Sequence, residues 1–309
     1  MKSWQGVATL LLVLFAAGCW RKAVQLSTGG DHNCGLRRDG VVICWGGNDS
    51  GQCSVPDARF SQVSAGGQHT CGIQKDGKIL CWGSNSQGQG AAPDSTFTQV
   101  RASIAHTCGL RGDWAVVCWG SNEFGESAAP TGRFIDVATG DHHTCAIVED
   151  GTVRCWGDNS GLQCSPPAGK FRQVSAGKDH SCALADDKTL TCWGAWSGRE
   201  EKPIYWKTYA PAGLFTQISS HGQGNCALGA DGFESCWDCN AAEAGGGAGG
   251  GLGFSQISGG LYDGCGLGTK GKILCWGGLQ YKKAYPPRFS FWPPGEKCKP
   301  ADQSAGLCD

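Results

Sequence analysis

Cysteine and histidine are the two residue types in this chain that are best suited to chemistry. The sequence has 309 residues and contains 20 cysteines and seven histidines. Thiolates and imidazoles bind zinc, and cysteines also exchange electrons or form disulfides. Cys236-Trp237-Asp238-Cys239 has the CxxC spacing of zinc knuckles and redox motifs. Because no second CxxC and no βαβ pattern accompany it, we expect neither a metal ion nor a redox function there.

Five histidines share one position of a repeated pattern, two residues before a cysteine. They are His32, His69, His106, His143 and His180. One imidazole per unit at one register predicts a structural role, in which each unit satisfies its own hydrogen bonds. Two later units carry Gly224 and Asp263 at this position, so a symmetric seven-membered metal ring is not expected.

The sequence contains none of the common catalytic signatures. A nucleophile elbow, an HExxH zinc site, a phosphate-binding glycine loop and the kinase motifs are all missing. Residues 245–253 read GGGAGGGLG, but no lysine or helix follows, so we interpret them as a flexible loop. Acidic residues mostly occupy hairpin turns, where aspartate is favoured for backbone reasons. We therefore expect a protein that is not an enzyme and that has no cofactor.

Paired cysteines define a repeat that runs through most of the chain. The first cysteines of the pairs lie 37 residues apart through the fifth unit, and then 44 and 39 residues apart. Each has a partner ten residues later, and tryptophan follows that partner in all seven units. The pairs are Cys34 and Cys44, Cys71 and Cys81, Cys108 and Cys118, Cys145 and Cys155, Cys182 and Cys192, Cys226 and Cys236, and Cys265 and Cys275.

The elements that carry these cysteines are predicted to be β-hairpins. In the second unit, residues 69–73 and 78–82 have strand composition, and the turn between them contains Asp76-Gly77. A hairpin centred on this turn places Cys71 opposite Cys81, within the range that a disulfide can bridge. We expect one disulfide within each unit, each worth roughly 3 kcal/mol in the chain-entropy model.

The repeat length decides the architecture. Units of about 37 residues with short strands and glycine-rich turns leave no room for helix pairs, so radial or linear β repetition remains. Seven such units suit a closed ring. The first unit has Ala23 where later units have phenylalanine, and residues 286–290 imitate the lead-in to Phe60. We therefore expect residues 289–292 to add a strand to a blade that contains N-terminal residues.

The consensus of the units resembles a known family. The pattern Val-Ser-Ala-Gly-x-x-His-x-Cys, then Asp-Gly, then Cys-Trp-Gly-x-Asn-x-x-Gly-Gln is similar to the regulator of chromosome condensation repeat. The resemblance covers roughly residues 23–292 and implies a seven-bladed β-propeller. The cysteine-bearing version looks most like secreted bacterial members and crinkly-type receptor ectodomains. It implies little about function, because the family includes an exchange factor for a small GTPase, a light sensor and a secreted enzyme inhibitor.

Six cysteines remain outside the hairpin pairs, and five of them are spare if Cys19 is lipidated. Cys53 and Cys164 share a register in units one and four, and Cys239 follows the sixth unit. Cys298 and Cys308 are close enough in sequence to close the C-terminal tail with a disulfide. With an odd number of spare cysteines, one thiol is expected to stay unpaired or to bond a partner.

Departures from the repeat are the best sequence guide to a binding site, since a blade does not need these residues for itself. The largest is an insertion after the fifth unit that contains Trp196, Arg199, Tyr205, Trp206 and Tyr209. Aromatic residues with arginine are typical of binding hot spots. The alternative is that the insertion simply covers a hydrophobic edge.

Two single aromatic residues depart from the repeat as well. Trp114 replaces glycine after Asp113 at a hairpin tip, and Phe124 lies in the loop after the third unit. With the insertion, they are candidate contacts for a protein or glycan partner. The net charge of −1 favours no polyanion, so nucleic acid is not an expected ligand.

The N-terminus indicates an extracytoplasmic location. Lys2 and an apolar run over residues 7–17 predict a signal peptide over 1–18. Ala16-Ala17-Gly18-Cys19 resembles a lipobox, which makes Cys19 a candidate lipidation site and residues 19–22 a tether. We expect a bacterial outer-membrane or cell-surface lipoprotein, or otherwise a secreted protein, with a propeller over 23–292 and a tail over 293–309. The expected function is binding or scaffolding, and the alternative is an exchange factor for a GTPase or an enzyme inhibitor.

Overall fold

The strands of this chain follow the repeat unit by unit. The computed structural model describes residues 22–194, 210–222, 224–237, 253–261 and 263–277. In these residues, 21 strands form seven antiparallel sheets, each built from three strands in chain order. None of the described segments is a helix that is long and apolar enough to cross a membrane.

Each sheet has an inner, a middle and an outer strand, and one sheet is one blade. The inner strands are β1 (Ala23–Thr28), β4 (Phe60–Ala65), β7 (Phe97–Ala102), β10 (Phe134–Thr139), β13 (Phe171–Ala176), β16 (Phe215–His221) and β19 (Phe254–Gly259). The middle strands are β2 (His32–Arg37), β5 (His69–Gln74), β8 (His106–Arg111), β11 (His143–Val148), β14 (His180–Ala185), β17 (Gly224–Gly229) and β20 (Asp263–Gly268). The outer strands are β3 (Val42–Gly46), β6 (Ile79–Gly83), β9 (Val116–Gly120), β12 (Val153–Gly157), β15 (Leu190–Gly194), β18 (Glu234–Trp237) and β21 (Ile273–Gly277).

The middle and outer strands form the cysteine hairpins. Cys71 pairs with Cys81 in the register of the second blade, and the two Cα atoms are 4.0 Å apart. The same pairing and the same Cα separation recur in all seven blades. The prediction of one disulfide within each blade is therefore confirmed.

The inner strand of every blade contains a β-bulge near its start. In the second blade the register shifts between Phe60 and Gln62, so that Phe60 turns into the core beside Trp82, with 5.4 Å between the ring centroids. Gln62 turns the other way, towards the next blade. A bulge re-aims side chains in this manner because one strand gains a residue that its partner lacks.

The hydrophobic core is divided among the interfaces between neighbouring blades. At the first interface, Leu36 and Val42 of blade one pack against Phe60, Val63 and Trp82 of blade two. Equivalent clusters occur at the other interfaces, including one between blades seven and one. Each three-stranded blade thus buries its apolar side chains against its neighbours, since it is too small to enclose a core alone.

A ring of six glutamine side chains and one aspartate side chain joins the inner strands. Gln25 of blade one accepts a hydrogen bond from the Val63 N–H (3.0 Å) and donates one to the Val63 carbonyl (3.1 Å). The residue at this register bonds the N–H of the next inner strand in every blade. The seven residues are Gln25, Gln62, Gln99, Asp136, Gln173, Gln217 and Gln256, which we call the clamp residues.

The ring closes between blades seven and one without a covalent link among the described residues. Gln256 bonds both backbone groups of Leu26, at 2.9 Å each, and the Asn33 amide donates to Asp263 at 2.7 Å. Ala23 lies in the apolar cluster of this interface, at the register of the missing phenylalanine. The chain is therefore an all-β, seven-bladed propeller, as the repeat predicted.

Some of the predicted domain lies outside the described residues. All three described strands of blade one come from residues 23–46. Residues 289–292, which were expected to add a strand to a blade containing the N-terminus, are not among those described. That extra strand stays a prediction, and so do the domain limit at 292 and the tail over 293–309.

We expect the clamp at the closing interface to contribute measurably to stability. Gln256→Ala removes the partner of the Leu26 N–H and carbonyl, which should lower the free energy of unfolding by roughly 2 kcal/mol. Urea denaturation under non-reducing conditions measures this loss. Gln87→Ala removes an exposed amide of the same size and is the matched control. Equal stability of both variants would contradict the assigned role.

Candidate functional site

The propeller presents two faces that differ in which loops they carry. The turns between inner and middle strands lie on one face, which we call the upper face, and so do the first segments of the loops that follow the outer strands (47–54, 84–91, 121–128 and 158–165). The ends of these loops reach the lower hairpin tips, as the bond from the Phe60 N–H to the Gly40 carbonyl shows. Backbone bonds join these two sets, as from the Gly47 N–H to the Asp31 carbonyl (2.7 Å). The hairpin tips between middle and outer strands lie on the opposite, lower face.

The two single aromatic candidates lie on opposite faces. Trp114 is at the lower hairpin tip of blade three, 40% exposed, with the Arg133 guanidinium 5.0 Å from its ring centroid. Phe124 is in the upper loop of the same blade, 46% exposed, and its ring lies 4.9 Å from that of His142. The structure therefore does not bring the two residues into one site.

The predicted insertion lies outside the described residues. Trp196, Arg199, Tyr205, Trp206 and Tyr209 belong to residues 195–209, which follow β15. The described chain leaves β15 at Gly194, on the upper face, which is also the face of Phe124. Cys19, Cys239, Cys298 and Cys308 are outside the described residues as well.

The mouth of the central channel on the upper face is where the blades differ most. Each blade places one residue of its inner turn at this mouth. It is the residue that directly follows the glycine position of the consensus Val-Ser-Ala-Gly-x-x-His. In chain order these residues are Gly30, Gly67, Ile104, Asp141, Lys178, Gly222 and Leu261. Sequence reasoning missed this site, although the positions were visible as the unspecified pair before each repeated histidine.

A groove of about 310 Å³ opens beside the mouth over blades one and two. Gly30 and Gly67 line it together with the apolar side chains of Ile104 and Leu261. Asp31 and Gln68 also line it, and the Gln68 amide lies 3.4 Å from the Asp31 carboxylate. The groove thus combines aliphatic walls with hydrogen-bonding groups, and its volume is in the range of ligand sites in proteins. We call it the mouth groove.

The upper face is strongly acidic. Its described loops contain Asp31, Asp49, Glu123, Glu126, Asp141, Asp158 and Asp179. In the inner turns and in these first loop segments, the only lysine or arginine among the described residues is Lys178. Lower-face acids are instead paired with cations, as in the Lys78–Asp94 and Arg133–Glu149 salt bridges, both at 2.8 Å. Among the described residues, excess negative charge is therefore concentrated on the upper face.

The acidic groups of blades three to five have different environments. Burial raises the pKa of the Asp141 carboxyl to about 6, although His142 and Lys178 nearby oppose the shift. For Glu126, burial raises the pKa, but hydrogen bonds from the Ser121 hydroxyl and from backbone N–H groups outweigh it and lower the pKa. Glu126 thus holds its loop as a carboxylate, whereas Asp141 lies at the channel mouth.

The repeated histidines are structural, but not in the predicted way. All five are fully buried, and each Nε2 lies within hydrogen-bond distance of a side chain on the following blade, not on its own. His69 contacts Thr107 at 2.8 Å, and Thr107 donates in turn to the Gln89 carbonyl. The Trp119 indole donates to the same carbonyl at 2.9 Å. The expectation that each unit satisfies its own hydrogen bonds is wrong, since these bonds join blades.

Known families and structures can now be compared with this geometry. A model of the regulator of chromosome condensation (RCC1) repeat matches residues 23–52, 60–89, 134–163 and 171–197. Four of the seven blades of this chain thus match the regulator of chromosome condensation repeat. Among curated proteins, no match to it is found.

Solved structures share the propeller of this repeat protein. The CRINKLY ectodomain of the Arabidopsis thaliana receptor kinase ACR4 is 25% identical, with a TM-score of 0.71 over 86% of this chain and 98% of that one. The ectodomain of the Physcomitrella patens receptor kinase CR4 is 23% identical, with a TM-score of 0.69 over 86% and 75%. Yeast RCC1 (Prp20) is 16% identical, with a TM-score of 0.61 over 77% and 78%. The last two similarities show the fold alone.

The cysteines of the repeat protein indicate its compartment. Seven described disulfides are typical of proteins that fold outside the cytoplasm, where thiols are oxidised. Cys53 and Cys164 are free, and their thiols donate to the Gly47 and Asp158 carbonyls at 3.2 and 3.1 Å. Burial raises the pKa of Cys53 to about 11 and that of Cys164 to about 12, so neither is a reactive thiolate.

No candidate metal centre is found within the described ranges. No three histidine, cysteine, aspartate or glutamate side chains in that part of the repeat protein are arranged to hold an ion. The described histidines at the repeat register are occupied by the contacts between blades.

Acidification should destabilise the repeat protein through these histidines. Burial lowers the pKa of His69 and His106 to about 4 and that of His143 to about 3, from 6.5. Between pH 6.5 and 4 the unfolded chain therefore binds protons that the folded chain does not, and stability is lost as the pH falls. The raised pKa of Asp141 acts in the opposite direction between 3.8 and about 6, but it is one group against three.

Urea denaturation between pH 8 and pH 4 measures this dependence. His69→Gln and His143→Gln should each reduce the slope of stability against pH over this window, whatever their stability at pH 8. Gln68→Asn, next to His69 but on the surface, is the control and should keep the slope of the unmodified protein. A slope that none of the histidine variants changes would contradict the assignment.

Proposed function

We propose that this protein is an extracytoplasmic binding module that recognises a protein partner through its upper face, without catalysis. The observation that carries the proposal is the mouth groove, which has aliphatic walls and lies in an acidic surface. The repeat does not require these side chains, because the contacts between blades are made by other positions. Positions that are not needed for the fold are the ones available for recognition.

Similar structures support the location in this proposal. The ACR4 CRINKLY domain, which matches almost over its whole length, is an ectodomain of a receptor kinase. An exchange factor for a cytosolic GTPase would need the opposite compartment, where disulfides are rare. A secreted enzyme inhibitor is one form of the proposed binding function. The partner is a protein in this proposal, and a glycan is the alternative that the experiments must separate.

The N-terminus supplies the attachment in this proposal. Residues 1–18 direct export, and Cys19 carries a lipid that holds the propeller at a bacterial outer membrane or cell surface. The support is the apolar run followed by Ala16-Ala17-Gly18-Cys19. One acyl chain binds membranes only weakly, so stable attachment needs more than one.

Intact-mass measurement of the full chain purified from membranes tests the attachment. We expect the mass of a chain that begins at Cys19 and carries lipid. Cys19→Ser should leave the propeller folded but move it to the soluble extracytoplasmic fraction. An unlipidated mass that starts elsewhere, with no change on substitution of Cys19, would contradict lipidation and leave simple secretion.

Capture experiments test the proposed binding face. The full-length protein is immobilised and exposed to extracytoplasmic proteins of its source cells at low salt. The double variant Asp49→Lys/Glu123→Lys reverses two exposed upper-face charges and should reduce capture of any specific partner by about tenfold. Asp186→Lys makes the same change at an exposed hairpin tip on the lower face.

Capture that is lost in the upper variant and kept in the lower one supports the proposal. Raising the salt concentration should weaken the same interaction, since exposed charges are screened over about 10 Å at 0.1 M salt. A partner that responds only to Asp186→Lys or to Trp114→Ala would place recognition on the lower face and contradict the proposal. Binding of neutral glycans with no captured protein would assign the face to sugar recognition.

A further inference from the structure

The mouth groove has a simple structural origin in four consecutive blades. At one register, blade seven has Leu261, blade one has Gly30, blade two has Gly67 and blade three has Ile104. Two glycines therefore separate two aliphatic side chains on the same circle. On the other side of the mouth, blades four and five carry Asp141 and Lys178 at this register. This circle of turn residues thus has one side with two aliphatic side chains that are separated by glycines. Its other side carries charged side chains.

The floor of the groove stays open because these glycines lack side chains. A Cβ atom at Gly30 would lie 3.3 Å from a methyl group of Leu261 and 3.0 Å from the Gly67 Cα atom. A Cβ atom at Gly67 would lie 3.1 Å from the Ile104 Cα atom. Any side chain at either position would fill the space between Ile104 and Leu261. What remains is a gap with backbone beneath it and an aliphatic wall at each end.

The wall at the outer edge of the groove is polar and uncharged except for one carboxylate. Gln68, Ser84, Ser86 and Gln87 present amide and hydroxyl groups along this edge, and Asp31 adds the carboxylate. The Ser50 hydroxyl donates to the side-chain amide oxygen of Gln68 at 3.4 Å, which brings the loop of Asp49 to the same edge. Amides and hydroxyls can pair with the backbone of an extended chain, as polar groups do in peptide grooves.

We propose that the mouth groove binds an aliphatic side chain of an extended, lysine- or arginine-bearing segment of the partner protein. This inference rests on the proposed protein-binding function and names the chemistry of the partner. The aliphatic walls that Ile104 and Leu261 form match a leucine, isoleucine or valine side chain. The acidic loops around the groove select for cations in the flanking residues, because opposite potentials favour encounter and like charges oppose it.

The same charges argue against the other occupants. A second copy of this chain would bring one acidic upper face against another, which costs free energy. An anionic glycan would be repelled for the same reason. A neutral sugar would find amides and hydroxyls, but the described lining of the groove offers it no aromatic ring to stack on.

Selection from a random peptide library displayed on phage tests the inference with the immobilised full-length protein as bait. The selected peptides should combine at least one leucine, isoleucine or valine with a net positive charge. Synthetic copies should bind about tenfold more weakly to Ile104→Gln and to Leu261→Gln. Both residues reach the surface, since Ile104 is 37% exposed and Leu261 half-buried, so the variants should fold.

Leu214→Gln is the matched control, because Leu214 is an exposed aliphatic residue (57%) that precedes the inner strand on the lower face. It should leave peptide binding unchanged. Poly-glutamate and neutral oligosaccharides, tested by competition, should not displace the selected peptides. Unchanged melting temperatures and seven intact disulfides in all variants show that the changes are local.

Three outcomes would overturn the inference. One is a selected pool that is acidic or lacks aliphatic residues, and another is displacement of the peptides from the groove by a neutral oligosaccharide. The third is binding that survives Ile104→Gln and Leu261→Gln but is lost in Asp49→Lys/Glu123→Lys. That last result would retain protein recognition by the upper face and reject only the groove, so the two proposals fail separately.

Discussion

The hydrogen bond from each inner strand to the side chain of the preceding blade is the constraint on which this propeller depends. An inner strand has its own sheet on one side only, so its other backbone groups face a neighbouring blade and need partners there. The clamp residues supply those partners in all seven blades, and Gln256 supplies them where blade seven meets blade one. The disulfides cannot replace this function, because each lies within one blade.

Bonding between blades also determines which residues are left for function. The repeated histidine, the threonine or serine after it, the buried glutamine and the tryptophan all contact a neighbouring blade. These residue types often take part in catalysis. In this fold their polar groups are used for contacts between blades. The inner turns at the channel mouth are different, since their side chains face the channel opening and can vary from glycine to aspartate or leucine.

Periodic features of the fold were predictable from the sequence, and the candidate site was not. Cysteines at a fixed spacing of ten predict a hairpin disulfide from local geometry alone, and the structure agrees. Glutamine recurs two residues after Phe60 and its equivalents in other blades. This repetition indicates a shared structural role, which the sequence-based predictions did not include. The mouth groove joins Leu261 to Gly30 and Ile104, which meet only after the ring closes. Trp114 and Phe124 are departures from the repeat that are exposed in the structure, but antiparallel strands place them at opposite ends of one blade.

Blade six shows how a departure within the fold differs from one at the surface. In blades two, four and five the histidine packs over a glycine, and a Cβ atom at Gly66 would lie 2.6 Å from the His69 ring. Blade six exchanges the two, with His221 at the glycine position and Gly224 at the histidine position. Blade seven then has Gly259 where Ala65 and Ala102 stand in their blades, since any Cβ atom there would overlap the His221 ring.

The exchange of histidine and glycine within blade six thus involves three positions in two blades. A change at an interface requires a matching change across it, because the packed side chains leave no free volume. The turns at the channel mouth are under no such coupling where their side chains face the opening. Recognition is therefore expected to diversify at the mouth first, and the run of Leu261, Gly30, Gly67 and Ile104 is the part of the ring where that freedom has produced a cavity.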